Sequence, residues 1–179
     1  MAEIAPTLGT KVSSLPPEGA HFGSAALREP RGGPSENCPP PTALAKSAFS
    51  FPIRVYWEDT DAGGIVFYAN YLKFFERART EWLRSFGIEQ QRLKETTGGM
   101  FVVAQTSLRY LRPARLDDEL IVTARMQLCG RAAMTIHQEV LLRNTLLCEG
   151  TIRIGWVDAA SLQPGRIPQN IIESLKEAT

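Results

Sequence analysis

The feature that most constrains this chain is a series of long apolar and polar alternations joined by connections too short for any crossover. Met100 to Arg112, Glu119 to Leu128, Ala133 to Arg143 and Leu146 to Val157 each alternate as strands do. In the second, Leu120, Val122, Ala124, Met126 and Leu128 point one way, and Glu119, Thr123, Arg125 and Gln127 the other. One face belongs to a core and the other is partly wet. Cys129-Gly130-Arg131 and Asn144-Thr145 join successive strands, whereas a parallel pair needs a crossover of about a dozen residues. The sheet is therefore antiparallel.

Upstream, Ile53, Val55 and Trp57 alternate with Arg54, Tyr56 and Glu58, which predicts a first strand. A glycine-containing loop follows from Asp59 to Ala69. Asn70 then offers an N-cap oxygen and Gly87 a left-handed stop, bracketing a helix from Tyr71 to Phe86. Tyr71, Phe75, Ala78, Trp82 and Phe86 recur at helical spacing, and Leu72, Phe74 and Leu83 widen the apolar surface until the helix must be largely enclosed. After Pro164, Ile167-Pro168-Gln169-Asn170 opens a short terminal helix through Lys176. The order β-α-β-β-β-β is an α+β arrangement, satisfied by a curved five-stranded sheet wrapped around the one long helix.

Composition separates that domain, from residue 50 to 179, from what precedes it. Eight of the twelve prolines fall between Pro6 and Pro41 with five glycines and almost no large apolar residue, so residues 1–49 are expected to be a disordered tail. It reads as a linker, a docking arm or an overlong start. The net charge is +1 with both signs interspersed, which excludes a broad nucleic-acid surface. Cys38, Cys129 and Cys148 suit neither a disulfide framework nor a metal site, and a reducing cytoplasm is the simpler setting. No segment approaches the ~20 apolar residues of a membrane span, and the acids Glu3, Glu18, Glu29 and Glu36 argue against a mitochondrial leader.

The run Arg54-Val55-Tyr56-Trp57-Glu58-Asp59-Thr60-Asp61-Ala62-Gly63-Gly64-Ile65-Val66-Phe67-Tyr68-Ala69-Asn70-Tyr71 resembles the signature of hot-dog-fold acyl-CoA thioesterases. It is most similar to the Tol-Pal-associated YbgC type within the 4-hydroxybenzoyl-CoA thioesterase group. Phe75-Glu76-Arg77-Ala78-Arg79-Thr80-Glu81, Pro113-Ala114-Arg115-Leu116-Asp117-Asp118 and Arg166-Ile167-Pro168 extend the likeness over about residues 51–175. The resemblance implies hydrolysis of a thioester to free acid and CoA, with no cofactor or metal. It implies acyl-CoA as substrate, with an acyl carrier protein as an alternative carrier, and a homodimer or homotetramer.

A thiolate leaves without protonation, so the reaction needs a base or nucleophile and stabilisation of the oxyanion. A carboxylate ahead of a helix N-terminus offers the first, and the free amides of that terminus the second. By resemblance Asp61 takes the catalytic place, activating water or attacking the carbonyl itself, and the Tyr68 N–H polarises the thioester. From spacing alone Asp61 equally caps a turn. Asp59 reads as a loop-fixing residue. Gly63 and Gly64 serve a positive dihedral, a close approach of substrate, or simple flexibility. Relatives usually carry His at the position of Tyr68 and often Tyr at that of Trp57, so no histidine assists here and the acyl preference is open.

Glu76 is the reserve catalytic acid, against an ordinary helix ion pair with Arg79. Gly64, Trp57 and Arg131 are the candidates for substrate and CoA binding. Arg131 matches a nucleotide-binding position in relatives and is otherwise a solvated turn residue. Arg109, Arg112 and Arg115 are weaker candidates. His137 reads as a surface residue, and Cys129 and Cys148 as small strand residues without the basic neighbours that make a thiolate. Three rivals remain: a non-catalytic acyl-CoA or acyl-carrier-protein binding module; an enoyl-thioester hydratase or dehydratase, which would want a histidine that the motif lacks; and a scaffold whose proline-rich tail docks envelope proteins, which is compatible with catalysis.

Overall fold

The computed structural model describes residues 48–177; Cys38 and the proline-rich tail lie outside them. Five strands form one antiparallel sheet: β1 (Phe49–Arg54), β2 (Gly99–Tyr110), β3 (Glu119–Cys129), β4 (Ala133–Leu142) and β5 (Thr145–Asp158). Their order is β1-β3-β4-β5-β2. The short connections do make hairpins of β3–β4 and β4–β5, with Arg143 at φ 55 in the second turn. β2 instead reaches the far edge and pairs along β5 from Gly99↔Asp158 to Tyr110↔Cys148.

Helix α1 (Asn70–Arg84) buries Tyr71, Phe74, Phe75, Ala78, Trp82 and Leu83 against the sheet. The face it meets carries Leu120, Val122, Met134, Ile136, Val140, Ile152 and Ile154, each at most 2% exposed. Close approach needs Gly150: a Cβ there would lie 2.5 Å from Leu108 Cδ2 and 3.0 Å from Phe75 Cε2. Gln138, fully buried, fastens helix to sheet. Its Nε2 donates to the Phe75 carbonyl at 2.9 Å, and its Oε1 accepts from Arg79 Nη1 at 2.9 Å. A buried amide is tolerated because its partners are supplied.

Three expectations need correcting. Trp57 does not continue β1. The strand ends at Arg54, and Trp57–Asp59 form a 3₁₀ turn that leaves Trp57 79% exposed. Asn70 is not the N-cap of α1: that place falls to Ala69, without a side-chain bond, while Asn70 Nδ2 donates back to the carbonyls of Asp59 and Glu58. A second helix, α2 (Gln90–Thr97), lies between α1 and β2 where the sequence suggested no element. Gly87 is the left-handed stop after α1, at φ 74. The terminal helix α3 spans Gln169–Glu177. Among the described residues no helix is long and apolar enough to cross a membrane.

Candidate active site

The loop between β1 and α1 is tied shut by bonds to its own backbone. The Asp59 carbonyl accepts from both the Phe67 N–H at 2.9 Å and Asn70 Nδ2 at 3.0 Å. The Asp59 side chain is fully buried, with Oδ2 accepting the Tyr56 N–H at 3.0 Å. Its Oδ1 is sealed from water and meets no donor among the described residues. Thr60 bridges to Val66 and Ile65 to Arg115, and the Val66 N–H donates to the Ala114 carbonyl at 2.9 Å. The loop is thus seated on the segment leading into β3.

At its tip Asp61 is exposed. Oδ1 accepts the Gly63 N–H at 2.8 Å, and the Asp61 carbonyl accepts the Gly64 N–H at 3.0 Å. This is the turn-capping bond that spacing allows, and it occupies only one carboxylate oxygen; Oδ2 meets no donor among the described residues. The two glycines have separate reasons. Gly64 sits at φ 71, whereas a Cβ on Gly63 would stand 3.0 Å from Asp61 Oδ1.

The loop delivers the chain to the start of α1, where helical amides have no partner within the helix. Among the described residues no acceptor meets the Tyr68 N–H. The Phe67 carbonyl, in the same peptide plane, accepts the Asn70 N–H at 2.8 Å. Beside Tyr68 lies a cavity of about 290 Å³ lined by Ile65, Val66, Tyr71, Tyr110, Arg112 and their neighbours. Tyr71 and Tyr110 stack edge to face, 5.6 Å between centroids. Burial raises both phenols above the ordinary tyrosine value and pushes the Cys148 thiol up to about 12. That fits an inert strand cysteine, and burial raises the Cys129 thiol likewise.

The structure does not gather every candidate here. Arg131 is exposed in the β3–β4 turn, while the Asp61 loop sits before the other end of β3. Eleven residues of strand separate them, roughly 33 Å at the usual rise. Arg112, a weaker candidate by sequence, lines the cavity itself. Arg109 is committed to Glu149 at 2.6 Å. Glu76 lies on α1 about 9 Å along the axis from Asn70, accepts from Thr80 Oγ1 at 2.7 Å, and borders a separate cavity of about 160 Å³ with Arg79. No ion pair joins Glu76 to Arg79 among the described residues. Burial lowers the Arg79 guanidinium, and Glu76 partly offsets this.

His137 is less isolated than sequence suggests. Its Nε2 is 3.9 Å from Glu149, and the two group with Glu139 on the outer sheet face. Arg109 already holds Glu149, and Arg125 stands across the ladder from His137. Two guanidinium groups there repel a divalent cation, so the cluster reads as a charge lattice. The residues that sequence reasoning missed are Tyr71 and Tyr110. The Tyr71 hydroxyl accepts the Ala114 N–H at 2.9 Å, and the Tyr110 hydroxyl donates to the Tyr68 carbonyl at 3.0 Å. Tyr71 was legible only as a core position, and Tyr110 only as one residue of the strand expected from Met100 to Arg112.

An antiparallel five-stranded sheet over one enclosed helix, with an acidic glycine loop ahead of its N-terminus, defines the hot-dog class of thioesterase fold. Residues 55–175 match the thioesterase-like superfamily, and the chain belongs to that family. It is 43% identical over 129 residues to the acyl-CoA thioesterase YbgC of Haemophilus influenzae, covering 72% of this chain and 94% of the relative. It is 41% identical to the acyl-CoA thioester hydrolase YbgC of Escherichia coli O6:H1, covering 72% and 96%. The crystal structure of a probable thioesterase from Bartonella henselae superposes with a TM-score of 0.65 at 31% identity, covering 68% of this chain and all of that one.

Proposed function

We propose that this chain hydrolyses an acyl-CoA thioester to a free carboxylic acid and CoA, with the Asp61 carboxylate as base or nucleophile. Relatives named acyl-CoA thioesterases at 41 and 43% identity support the activity. The observation that carries the chemistry is the Tyr68 amide: it donates to nothing among the described residues, at a helix N-terminus, on the wall of a largely apolar cavity. Such a donor suits an oxygen that gains charge in the transition state.

In one route Asp61 takes a proton from water as the water oxygen bonds to the thioester carbon. In the other its own oxygen bonds there, giving an anhydride that water then opens. In both the C–S bond breaks, the sulfur leaves as thiolate, and the carbonyl oxygen bears the transient charge facing the Tyr68 N–H. Gly64 gives the loop its turn, and the exposed Trp57 ring and Arg112 supply an aromatic face and a cation for the CoA moiety. Arg131, at the far end of β3, serves CoA only across a subunit boundary.

A homodimer or homotetramer is part of this reading. β2 is an edge strand, and its residues 103–107 are all exposed, which invites pairing with a second sheet. Cytoplasmic residence and an acyl-carrier-protein substrate belong to the same proposal. The test is CoA thiol release from short-chain, long-chain and aromatic acyl-CoAs by wild type and Asp61→Asn. Turnover in the wild type and its loss in the variant support the assignment. Equal rates overturn it, and Glu76→Gln then examines the reserve acid.

A further inference from the structure

We propose that Tyr110 is a positioning residue for the oxyanion site, its hydroxyl fixing the peptide unit that follows the Tyr68 amide; this rests on the hydrolase reading above. Tyr110 closes β2 at the sheet edge, 42 residues beyond Tyr68 in sequence, yet its hydroxyl donates to the Tyr68 carbonyl at 3.0 Å. An exposed side chain with no such bond would be an ordinary edge tyrosine.

The bond acts where the helix lacks one of its own. α1 begins tightly: the Leu72 N–H turns back to the Ala69 carbonyl at 3.1 Å rather than to Tyr68. The Tyr68 carbonyl is therefore free of the helical ladder, and the phenol takes the place of the missing amide. Residue 68 is then held on both sides. The peptide before it is pinned through the Phe67 carbonyl by the Asn70 N–H, and the peptide after it through its own carbonyl by Tyr110.

A peptide unit is planar, with its carbonyl and N–H pointing in opposite directions. Anchoring the Tyr68 carbonyl thus sets the direction of the Ala69 N–H as well, and no acceptor meets that amide among the described residues. The geometry leaves two adjacent amides, at 68 and 69, without an acceptor among the described residues; the Asn70 bond orients the first and the phenolic bond the second.

Neighbouring groups keep the phenol in place and protonated. The Tyr110 ring packs edge to face on Tyr71 at 5.6 Å and lies 6.4 Å from the Tyr68 ring. Tyr71 in turn is held by the Ala114 N–H. Burial first, then the charges of Cys148 and Tyr68, push the Tyr110 phenol above its ordinary value, so the donor hydrogen is retained across the neutral range. All three rings border the same cavity.

Tyr110→Phe removes the hydroxyl and keeps the ring. In acyl-CoA hydrolysis by the full chain, kcat is expected to fall roughly tenfold, with KM within about twofold and the melting temperature unchanged, since the bond acts on transition-state donors. An unchanged kcat overturns the proposal, as does a loss that follows a lowered melting temperature. A second arm is independent of turnover. The ¹⁵N relaxation of the Ala69 amide is expected to show added motion in Tyr110→Phe, while amides from the middle of α1 stay as in wild type. Unaltered order at 69 overturns the proposal even in an active enzyme. A wild type that releases no CoA counts against the hydrolase reading alone, and the relaxation arm still decides Tyr110.

Discussion

The two ends of α1 are built on opposite plans. At the C-terminal end the donors close on carbonyls of the last turns: Ser85 N–H to Glu81, Phe86 N–H and Ile88 N–H to Leu83, Gly87 N–H to Arg84, and the Ser85 hydroxyl to Trp82. An Arg84–Glu81 ion pair and the Trp82–Phe86 ring contact complete it. At the N-terminal end the Tyr68 and Ala69 amides meet no acceptor among the described residues, and Tyr56, Trp57, Phe67, Tyr68, Leu72 and Tyr110 are each at least 41% exposed. One end serves stability. The other leaves donors and apolar rings open, as the proposed thioester site requires.

The comparison breaks first at Asp61. Asp61→Asn is expected to reduce acyl-CoA hydrolysis by about 10²–10⁴-fold while the thermal midpoint moves little, because among the described residues the exposed side chain makes only the Gly63 bond. A parallel loss of fold and activity would place Asp61 with the structural end. Next in size is Gln138→Ala, which strips the Phe75 carbonyl and the Arg79 guanidinium of their shared partner. Chemical denaturation should show about 2–3 kcal/mol of destabilisation, and both ends of α1 should loosen together in hydrogen exchange.

Gly87→Ala addresses the closed end alone. The residue has φ 74 and open space where a Cβ would stand, so the cost is backbone strain of about 1 kcal/mol. Turnover below the melting temperature should be unaffected. The smallest effect near neutral pH comes from Cys148, whose thiol burial raises from its ordinary 9.0 to about 12. Folded and unfolded chains are both protonated below pH 9. Above it the unfolded thiol ionises first, so stability declines as pH climbs towards 12. Cys148→Ala should flatten that alkaline slope in a pH series of unfolding midpoints.

Much of this was legible in the chain itself. The hairpin connections dictated antiparallel pairing, and the stripe through Tyr71, Phe75, Ala78 and Trp82 marked α1. α2 was not, since Leu93 is its one buried residue and eight residues with a single apolar anchor carry no period. Trp57 misled because alternation outlasted the strand: the Val55 N–H still pairs with Asp118, and the chain then turns. Within the candidate site, the order of acids and glycines could be read directly. The Tyr110 bond could not, because it depends on β2 crossing to the far edge of the sheet. For the same reason Arg112, and not Arg131, borders the cavity.

The double bond to the Asp59 carbonyl has a consequence for binding. With the Phe67 N–H and the Asn70 amide both fixed to one oxygen, the segment from 59 to 70 is a closed ring. The conformational entropy of that ring is lost on folding, at ~1–2 kcal/mol per residue, and none of it is charged again when a ligand arrives. A thioester therefore meets a preorganised surface. Its affinity would rise with each contact it makes, without the discount that a loop ordered on arrival would impose.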